Sequence, residues 1–338
     1  MKAMFAVAVA GLIAVAACGR SDVRTQYPAM GTVERVDPRI DKLIPPEARI
    51  EKLTDAVADW AEGPVWIPSG GYLLFSDIPK NLIWKWQEGK PLETYLKPSG
   101  YSGASKFGGR EPGSNGLALD AQGRLLLCQH GDRCVARQEK DGTIKILADK
   151  FEGKRFNSPN DLCVKSNGDI YFTDPPYGLP KQTSDPAKEL DYQGVFRLKP
   201  NGEVTLLTKE LSRPNGIALS PDEKTLYVAN SDMQRAIWMA YPVKDDGTLG
   251  TGKVFFDSTP WAKAGKKGAP DGMKVDRTGN VFATAPGGVA VFSPDGRHLG
   301  TIATGEPTAN CGWGDDGSVL YMTANKVLCR IKTSTKGQ

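Results

Sequence analysis

The feature that most constrains the fold is a short unit that occurs six times along the chain. Each copy has a polar residue beside Gly, Pro, Asp or Cys, then a mostly apolar strand, a polar turn and a second apolar strand. The copies begin near residues 61, 113, 157, 212, 269 and 308. The segments between them supply further strand patterns with their own turns. Units of about four strands, repeated every 40–50 residues, are typical of a β-propeller.

The fold class predicted from this repeat is all-β, a six-bladed β-propeller with four-stranded antiparallel blades. No unit contains a convincing helical periodicity. The stretch 48–57, ARIEKLTDAV, alternates like a strand and precedes the first copy. We predict that it pairs with the C-terminal blade and closes the ring, which leaves no free sheet edge. The propeller domain is therefore predicted to span residues 48–338.

Composition supports one soluble propeller and excludes some partners. The 338 residues include 38 Gly and 24 Pro, which suits a fold with many turns. The formal net charge of +4 is small for this length, and no basic stripe is interleaved with aromatic residues. Nucleic acid is therefore not expected as a partner. We expect a monomer that acts on a small molecule.

The first 18 residues have the plan of a signal peptide. Met1-Lys2 carries one positive charge, 15 small apolar residues follow, and Cys18 comes next. The run 15–18, VAAC, also resembles a bacterial lipobox, in which Cys18 becomes the lipidated N-terminus; a plain secretory signal is the alternative. Residues 19–47 are then predicted to be a tether. We expect an exported protein, either periplasmic or held at the membrane only through a lipid on Cys18.

Export affects how the remaining cysteines are interpreted. Five follow Cys18, so at least one must be a free thiol or pair with another molecule. Cys128 and Cys134 flank a short turn, which leaves a cross-strand disulfide open. The chain has only two His residues and no CxxC motif, so a zinc site of Cys and His is not expected.

One polar residue marks the entrance of the first strand in each copy. In a propeller these strands line the central channel, so the six residues should converge at one mouth. Turn capping is an alternative that explains Asn and Asp, but it explains Glu62 poorly. A ring of carboxylate and amide oxygens suits calcium, magnesium or manganese. The six positions are Glu62, Asn115, Asn160, Asn215, Asp271 and Asn310.

Four motifs in this order resemble the SMP-30/gluconolactonase/LRE family. They are AEGPVW, SPND, RPNG and PDGM, and the resemblance covers about residues 50–333. It implies a six-bladed propeller with one catalytic divalent cation in the channel, Ca²⁺ foremost and Mg²⁺, Mn²⁺ or Zn²⁺ as alternatives. The implied ligands are Glu62, Asn160, Asn215 and Asp271. Ser158 stands where animal-type members carry a substrate-contacting Arg, so the bacterial gluconolactonase-like branch is the better match.

The resemblance implies hydrolysis of a sugar lactone to its aldonic acid. Asp271 is the candidate general base, because a ligating carboxylate lies within reach of an attacking water. Asn115, His130 and Tyr177 are candidate substrate-binding residues. Asp161 either orients the metal ligands through hydrogen bonds or caps its strand. No GxSxG nucleophile motif is present.

Two other functions remain open from the sequence. The same metal site could serve a phosphotriesterase or another esterase, since related propellers use a similar quartet. A non-catalytic propeller that binds a partner at its mouth is the third hypothesis. The pair Glu62 and Asp271 disfavours it, because a scaffold has no need for buried carboxylates without a cation. Asn310, beside Cys311, is expected to be structural.

Overall fold

Antiparallel sheets built around one axis make up nearly all of the molecule. The computed structural model describes residues 27–337. Six sheets of four or five strands follow one another along the chain. The first strand of each sheet contacts the first strand of the next, and that of the sixth contacts that of the first. The predicted six-bladed propeller is therefore confirmed, with the first strand of each blade innermost.

The first three blades differ mainly in the loops that join their strands. Blade 1 comprises Ala61–Ile67, Tyr72–Asp77, Leu82–Trp86 and Glu93–Leu96. Blade 2 comprises Ser114–Leu119, Leu125–Gln129, Cys134–Gln138 and Ile144–Ala148, and is followed by a small hairpin, Lys150–Phe151 with Lys154–Arg155. Blade 3 comprises Leu162–Val164, Ile170–Asp174, Gly194–Leu198 and Val204–Thr208, with the 3₁₀ helix Gln182–Ser184 in a long loop.

The last three blades include the strands that close the ring. Blade 4 comprises Pro214–Leu219, Thr225–Asp232, Arg235–Pro242 and Lys253–Asp257, and the short α-helix Thr259–Lys263 follows it. Blade 5 comprises Met273–Val275, Val281–Ala285, Gly288–Phe292, His298–Ala303 and the N-terminal strand Thr32–Arg35. Blade 6 comprises Thr308–Gly314, Val319–Ala324, Val327–Lys332 and the N-terminal strand Glu51–Lys52.

Apolar packing between adjacent blades forms the core. The buried side chains fall into six clusters, and each cluster joins two neighbouring blades. Between blades 2 and 3, the rings of Phe156, Phe172 and Phe196 lie 5.2–5.5 Å apart. Each blade therefore buries both faces of its sheet, and its stability depends on the two blades beside it.

The ring closes as the sequence predicts. Glu51–Lys52 pairs antiparallel with Val327–Lys332 and becomes the outer strand of blade 6. Arg330 Nε lies 2.7 Å from Glu51 Oε2, so an ion pair reinforces the junction. The two ends of the propeller domain are thereby joined through one sheet.

Part of the predicted tether is folded onto the propeller. Thr32–Arg35 pairs with His298–Ala303 as a fifth strand of blade 5. The 3₁₀ helix Pro38–Lys42 follows, and the side chains of Ile40 and Ile44 are fully buried between blades 5 and 6. The prediction of a tether is therefore wrong for residues 27–47, because these two isoleucines are buried and Met30 N donates to the carbonyl of Ile50 at 3.0 Å.

The predicted signal segment 1–18, with Cys18, lies outside the described residues, as do residues 19–26. Lipidation at Cys18 and export therefore stay predictions. Between residues 27 and 337, no helix is long and apolar enough to cross a membrane.

The disulfide between Cys128 and Cys134 does not form. All five described cysteines are free thiols. Gln129 pairs directly with Cys134, and Cys128 pairs with Val135. Because successive side chains in a strand point to opposite faces, the two sulfurs lie on opposite sides of blade 2.

Hydroxyl groups on the second strands tie blades 1, 3 and 5 to the entrance of the following blade. Ser76 Oγ donates to the carbonyl of Asn115 at 2.8 Å, and Thr173 Oγ1 donates to the carbonyl of Asn215 at 2.7 Å. Thr284 Oγ1 does the same for Ala309 at 3.0 Å. These buried bonds fix the backbone at the positions where the polar ring residues occur.

Replacing Thr173 by Val keeps the side-chain shape but removes a buried hydroxyl. We expect Thr173→Val to lower the free energy of unfolding by about 1–3 kcal/mol, because the Asn215 carbonyl loses its donor. Urea unfolding would measure this loss. Thr251→Val, at an exposed position, should change stability by less than about 0.5 kcal/mol. Equal effects of the two substitutions would contradict the assigned role of the hydroxyl.

Candidate metal centre

The innermost strands carry irregular pairing at the channel mouth. In blade 1 the register shifts between Glu62 and Val65, and in blade 4 it shifts between Pro214 and Ile217. Blades 2 and 6 have equivalent shifts. Such bulges bend a strand and change the direction of a side chain. They occur at the positions of the predicted ring residues.

Glycines next to the ring residues allow the strands to approach closely. A Cβ on Gly63 would lie 2.2 Å from the carbonyl oxygen of Asn115, and one on Gly216 would lie 2.0 Å from that of Asp271. No side chain fits at either position, since real Cβ contacts are longer. The polar residue of one blade is therefore held against the backbone of the next.

Glu62 is the ring residue of blade 1 and is 2% exposed. Its Oε2 accepts hydrogen bonds from Gly63 N at 3.1 Å and from Asn310 Nδ2 at 3.2 Å. Asn310 Oδ1 accepts from Cys311 N at 2.9 Å. Asn310 thus uses both ends of its amide within the protein, as expected of a structural residue.

Several buried oxygens at this mouth have no hydrogen-bond donor among the described residues. A buried acceptor without a partner normally costs free energy, and native proteins contain few of them. Here the unpaired atoms are concentrated at the entrances of the inner strands, and they are the kind of donor that a hard cation takes up. They are Asn115 Oδ1, Asn160 Oδ1, Asp161 Oδ2 and Asp271 Oδ1.

Burial also raises the pKa of the carboxyl groups in the ring. The pKa of Glu62 rises to about 8, through burial first and the charge of Asp161 second. The pKa of Asp271 is raised well above its usual range by burial and by the charge of Glu62. Burial raises the pKa of Asp161 as well. A cation placed among these groups would reverse the effect, because it stabilises their ionised forms.

The predicted ligands fit a divalent cation by their chemistry. Glu62, Asn160, Asn215 and Asp271 would hold it with two carboxylates and two amides, all through oxygen. Asn215 Nδ2 donates to Ser231 Oγ at 2.9 Å, which fixes the orientation of that amide. Among residues 27–337, no three or more His, Cys, Asp and Glu side chains form a metal-binding group. The amides are therefore essential to the candidate site.

Asp161 is buried directly beside the predicted ligand Asn160. Its Oδ1 accepts from Leu162 N at 2.9 Å, and its Oδ2 is unpaired. No hydrogen bond joins it to a predicted ligand within the described residues. An orienting role for Asp161 therefore stays a prediction, and the structure adds it to the free oxygens of the ring.

His130 connects the ring to an acidic residue that the sequence reasoning missed. The His130 side chain is fully buried, and its Nε2 lies 3.4 Å from Asn160 Nδ2. Its Nδ1 lies 3.1 Å from Glu111 Oε2. Glu111 stands four residues before the ring residue Asn115, in a loop whose fold the strand pattern does not predict.

Tyr177 lies near Asp271, and its chain neighbour Gly178 packs against His130. Its pKa is raised by burial and then by the charge of Asp271, against a lowering effect of Arg213. The Arg213 guanidinium lies 5.7 Å from the centroid of the Tyr177 ring. Sequence reasoning missed Arg213 as well, although it stands two residues before Asn215 in RPNG and was visible there.

Asp174 shapes the loop that presents Asn160. Its two carboxylate oxygens accept from Asn157 N at 2.8 Å and from Ser158 N at 2.7 Å. Burial raises the Asp174 pKa to about 7, although both of these hydrogen bonds oppose the rise. Ser158 Oγ donates to the carbonyl of Pro175 at 2.6 Å. Ser158 is therefore a loop-building residue here, and no arginine reaches the site from its position.

Known proteins of one family resemble this chain over most of its length. The model of the SMP-30/Gluconolactonase/LRE-like region matches residues 60–326. A gluconolactonase of Zymomonas mobilis is 40% identical over 316 residues, 91% of this chain and 88% of the relative. Regucalcin of Xenopus laevis is 27% identical over 282 residues, 82% of this chain and 86% of the relative.

A solved structure shows the same architecture. A gluconolactonase from Xanthomonas campestris superposes with a TM-score of 0.78 and 33% sequence identity. The alignment covers 92% of this chain and 99% of that one. The match by the family model alone spans well over half of the chain, and it contains all six ring positions. The chain therefore belongs to the SMP-30/gluconolactonase/LRE-like family.

Proposed function

We propose that the protein is a metal-dependent lactonase that hydrolyses a sugar lactone to its aldonic acid. The observation that carries the proposal is the group of buried, unpaired oxygens at the channel mouth. These oxygens lack donors and lie beside two carboxyl groups with raised pKa values, so the site is built for a cation. The gluconolactonase relatives support a lactone as the substrate.

The chain supplies ligands, a proton acceptor and a polar wall. A divalent cation bound by Glu62, Asn160, Asn215 and Asp271 would polarise the lactone carbonyl and favour the developing oxyanion. Asp271 has one oxygen without a hydrogen-bond partner, and we assign it the proton of the attacking water. That proton then passes to the departing ring oxygen, which gives the hydroxy acid.

The substrate hydroxyls would meet polar groups around the mouth. His130 with Glu111 and Tyr177 with Arg213 supply these groups. The Asn115 amide oxygen is unpaired between blades 1 and 3 and can accept from a hydroxyl or bind the cation. A sugar lactone carries several hydroxyl groups that can form hydrogen bonds with these polar side chains. An apolar ester would leave them unpaired.

Calcium is our proposed cation, because every predicted ligand atom is an oxygen and the set mixes charged with neutral donors. We also propose export, with Cys18 as the lipidated residue, on the plan of residues 1–18. Periplasmic location and a monomeric state belong to the same proposal.

The first experiment removes and restores the cation. Residues 19–338, stripped with a chelator, should lose acid release from glucono-1,5-lactone, and one of Ca²⁺, Mg²⁺, Mn²⁺ or Zn²⁺ should restore it. Glu62→Gln should reduce the restored rate by at least about 100-fold, because it removes a ligand charge. Spontaneous hydrolysis is subtracted throughout.

Glu47→Gln is the matched control, since Glu47 is exposed and far from the ring in sequence. It should keep the full rate. Cation binding without turnover would redirect the search to other lactones and to phosphoesters. A protein that binds no divalent cation would refute the lactonase proposal.

The role of Asp271 can be separated from its role as a ligand. We expect Asp271→Asn to reduce kcat by at least about 100-fold, because an amide cannot accept the proton. Cation binding to the variant is measured in parallel by calorimetry. Full turnover by a variant that still binds the cation would exclude Asp271 as the base.

The cation-free protein should lose stability as the pH rises. Glu62 stays protonated in the folded state up to a pKa of about 8, whereas its ordinary value is 4.5. Between these values the folded state binds more protons than the unfolded state, so the free energy of unfolding declines across this window. Denaturant unfolding in chelator at about pH 5.5 and about pH 8 measures the decline. Glu62→Gln should show a smaller one; a constant stability in the wild type would contradict the assignment.

A further inference from the structure

A cavity lies at the end of the channel opposite the ring. The ring residues occur at the start of the inner strands, and the residues that line this cavity occur two to four positions later and in the turns that follow. Its volume is about 560 Å³, which falls in the range of small-molecule sites. We call it the lower cavity. Neither the proposed reaction nor the ring residues require it.

Apolar side chains from all six blades line the lower cavity. Each blade contributes at least one large apolar side chain, and two of these are tryptophans that remain partly exposed. Partly exposed apolar surface in a concave site is the surface that a ligand's apolar group covers favourably. One representative from each blade, in order, is Trp66, Leu119, Val164, Leu219, Val275 and Trp313.

A half-buried lysine side chain, Lys274, interrupts this apolar wall. Lys274 pairs with Phe282 in blade 5, and its neighbours in register on the other blades are uncharged. Its Nζ donates to the carbonyl of Met273 at 3.0 Å, and it joins no ion pair among the described residues. The uncharged residues at the matching places in blades 1, 2, 3, 4 and 6 are Val65, Ala118, Cys163, Ala218 and Gly312.

The other charged side chains that line the lower cavity are on its rim. Lys336 Nζ lies 2.6 Å from Asp316 Oδ2, so that pair is already neutralised. Asp315 accepts a hydrogen bond from the hydroxyl of Tyr321 at 3.2 Å, and Arg277 Nε donates to a backbone carbonyl. These rim residues are exposed, unlike the half-buried Lys274. Lys274 is therefore the charged side chain of the inner wall, and the buried carboxyl of the ring residue Asp161 is the charge that acts on it from the ring, because the Lys274 ammonium lowers the Asp161 pKa against the effect of burial.

We propose that the lower cavity binds a small amphiphilic carboxylate. Its apolar tail contacts the apolar side chains that the six blades contribute to the cavity, and its carboxylate accepts hydrogen bonds from Lys274 Nζ. A carboxylate suits this position because charge-assisted hydrogen bonds are the stronger kind, and a desolvated ammonium gains most from an anionic partner. A neutral alcohol lacks the charge, and a short acid lacks the tail. The proposal uses neither the cation nor the proposed reaction, although Lys274 also acts on the ring residue Asp161.

The test uses sodium octanoate as the probe on the full chain loaded with the cation. Calorimetry measures the affinity, and the fluorescence of Trp66 and Trp313 should change because both line the cavity. Lys274→Met, which keeps the length but removes the charge, should weaken octanoate binding by about tenfold or more. Lys263→Met, at an exposed position on the short helix, is the matched control and should bind as the wild type does.

Further arms separate this site from the ring. Octanol and acetate should each bind at least about tenfold more weakly than octanoate, since each supplies one of the two interactions. Octanoate should still bind to Glu62→Gln and to chelator-treated protein; loss of binding there would place the carboxylate on the cation and overturn the proposal. Unchanged affinity in Lys274→Met would overturn it as well.

A second substitution covers the case in which Lys274→Met fails to fold. Leu119 is half-buried in the wall, so Leu119→Trp would fill part of the cavity without opening the core. Circular dichroism and thermal unfolding check the fold of each variant. A folded Leu119→Trp protein that binds octanoate as tightly as the wild type would overturn the proposal.

Discussion

The structure depends on closure of the ring between the two ends of the propeller domain. Glu51–Lys52 completes blade 6 beside Val327–Lys332, and Arg330 pairs with Glu51 across the junction. Because each cluster of the core joins two neighbouring blades, an open ring would expose the faces of blades 1 and 6. The channel exists only while all six blades are in place, and so does any site on its axis.

Closure of the ring crowds polar residues together at the candidate site. Six inner strands converge so closely that Gly63 and Gly216 have no room for a side chain, and the residues before them are forced together. Carboxylates and amides that would be solvated on an isolated blade become buried beside one another. This crowding raises the pKa values of the carboxyl groups and leaves several of the oxygens without a hydrogen-bond donor. A cation bound there would relieve both at once, which is the physical basis of the metal-dependent chemistry that we propose.

The sequence predicts the repeated elements of the fold but does not predict contacts that occur only once. The blades and the six ring positions recur, so each copy supports the others, and the structure confirms the blades. Glu111, Arg213 and Asp174 act through contacts between distant segments or within loops, where no periodicity guides a prediction. The strand Thr32–Arg35 is short and polar, so its pattern does not distinguish it from a linker. The Cys128–Cys134 pairing failed because a register offset of one residue moves a side chain to the other face.

The buried free thiols between residues 27 and 337 can report on local unfolding. Burial raises the pKa of Cys128 far above its ordinary value, and it raises those of Cys311 and Cys329 to about 12. Thiolate is the reactive form, so alkylating reagents should be slow to attack the closed ring. Cys128 and Cys134 lie in blade 2, and Cys311 and Cys329 lie in blade 6; these four are buried, whereas Cys163 is partly exposed in the lower cavity. The rate at which each buried thiol is labelled would therefore report how often its own blade opens, which makes the native chain its own probe of local unfolding.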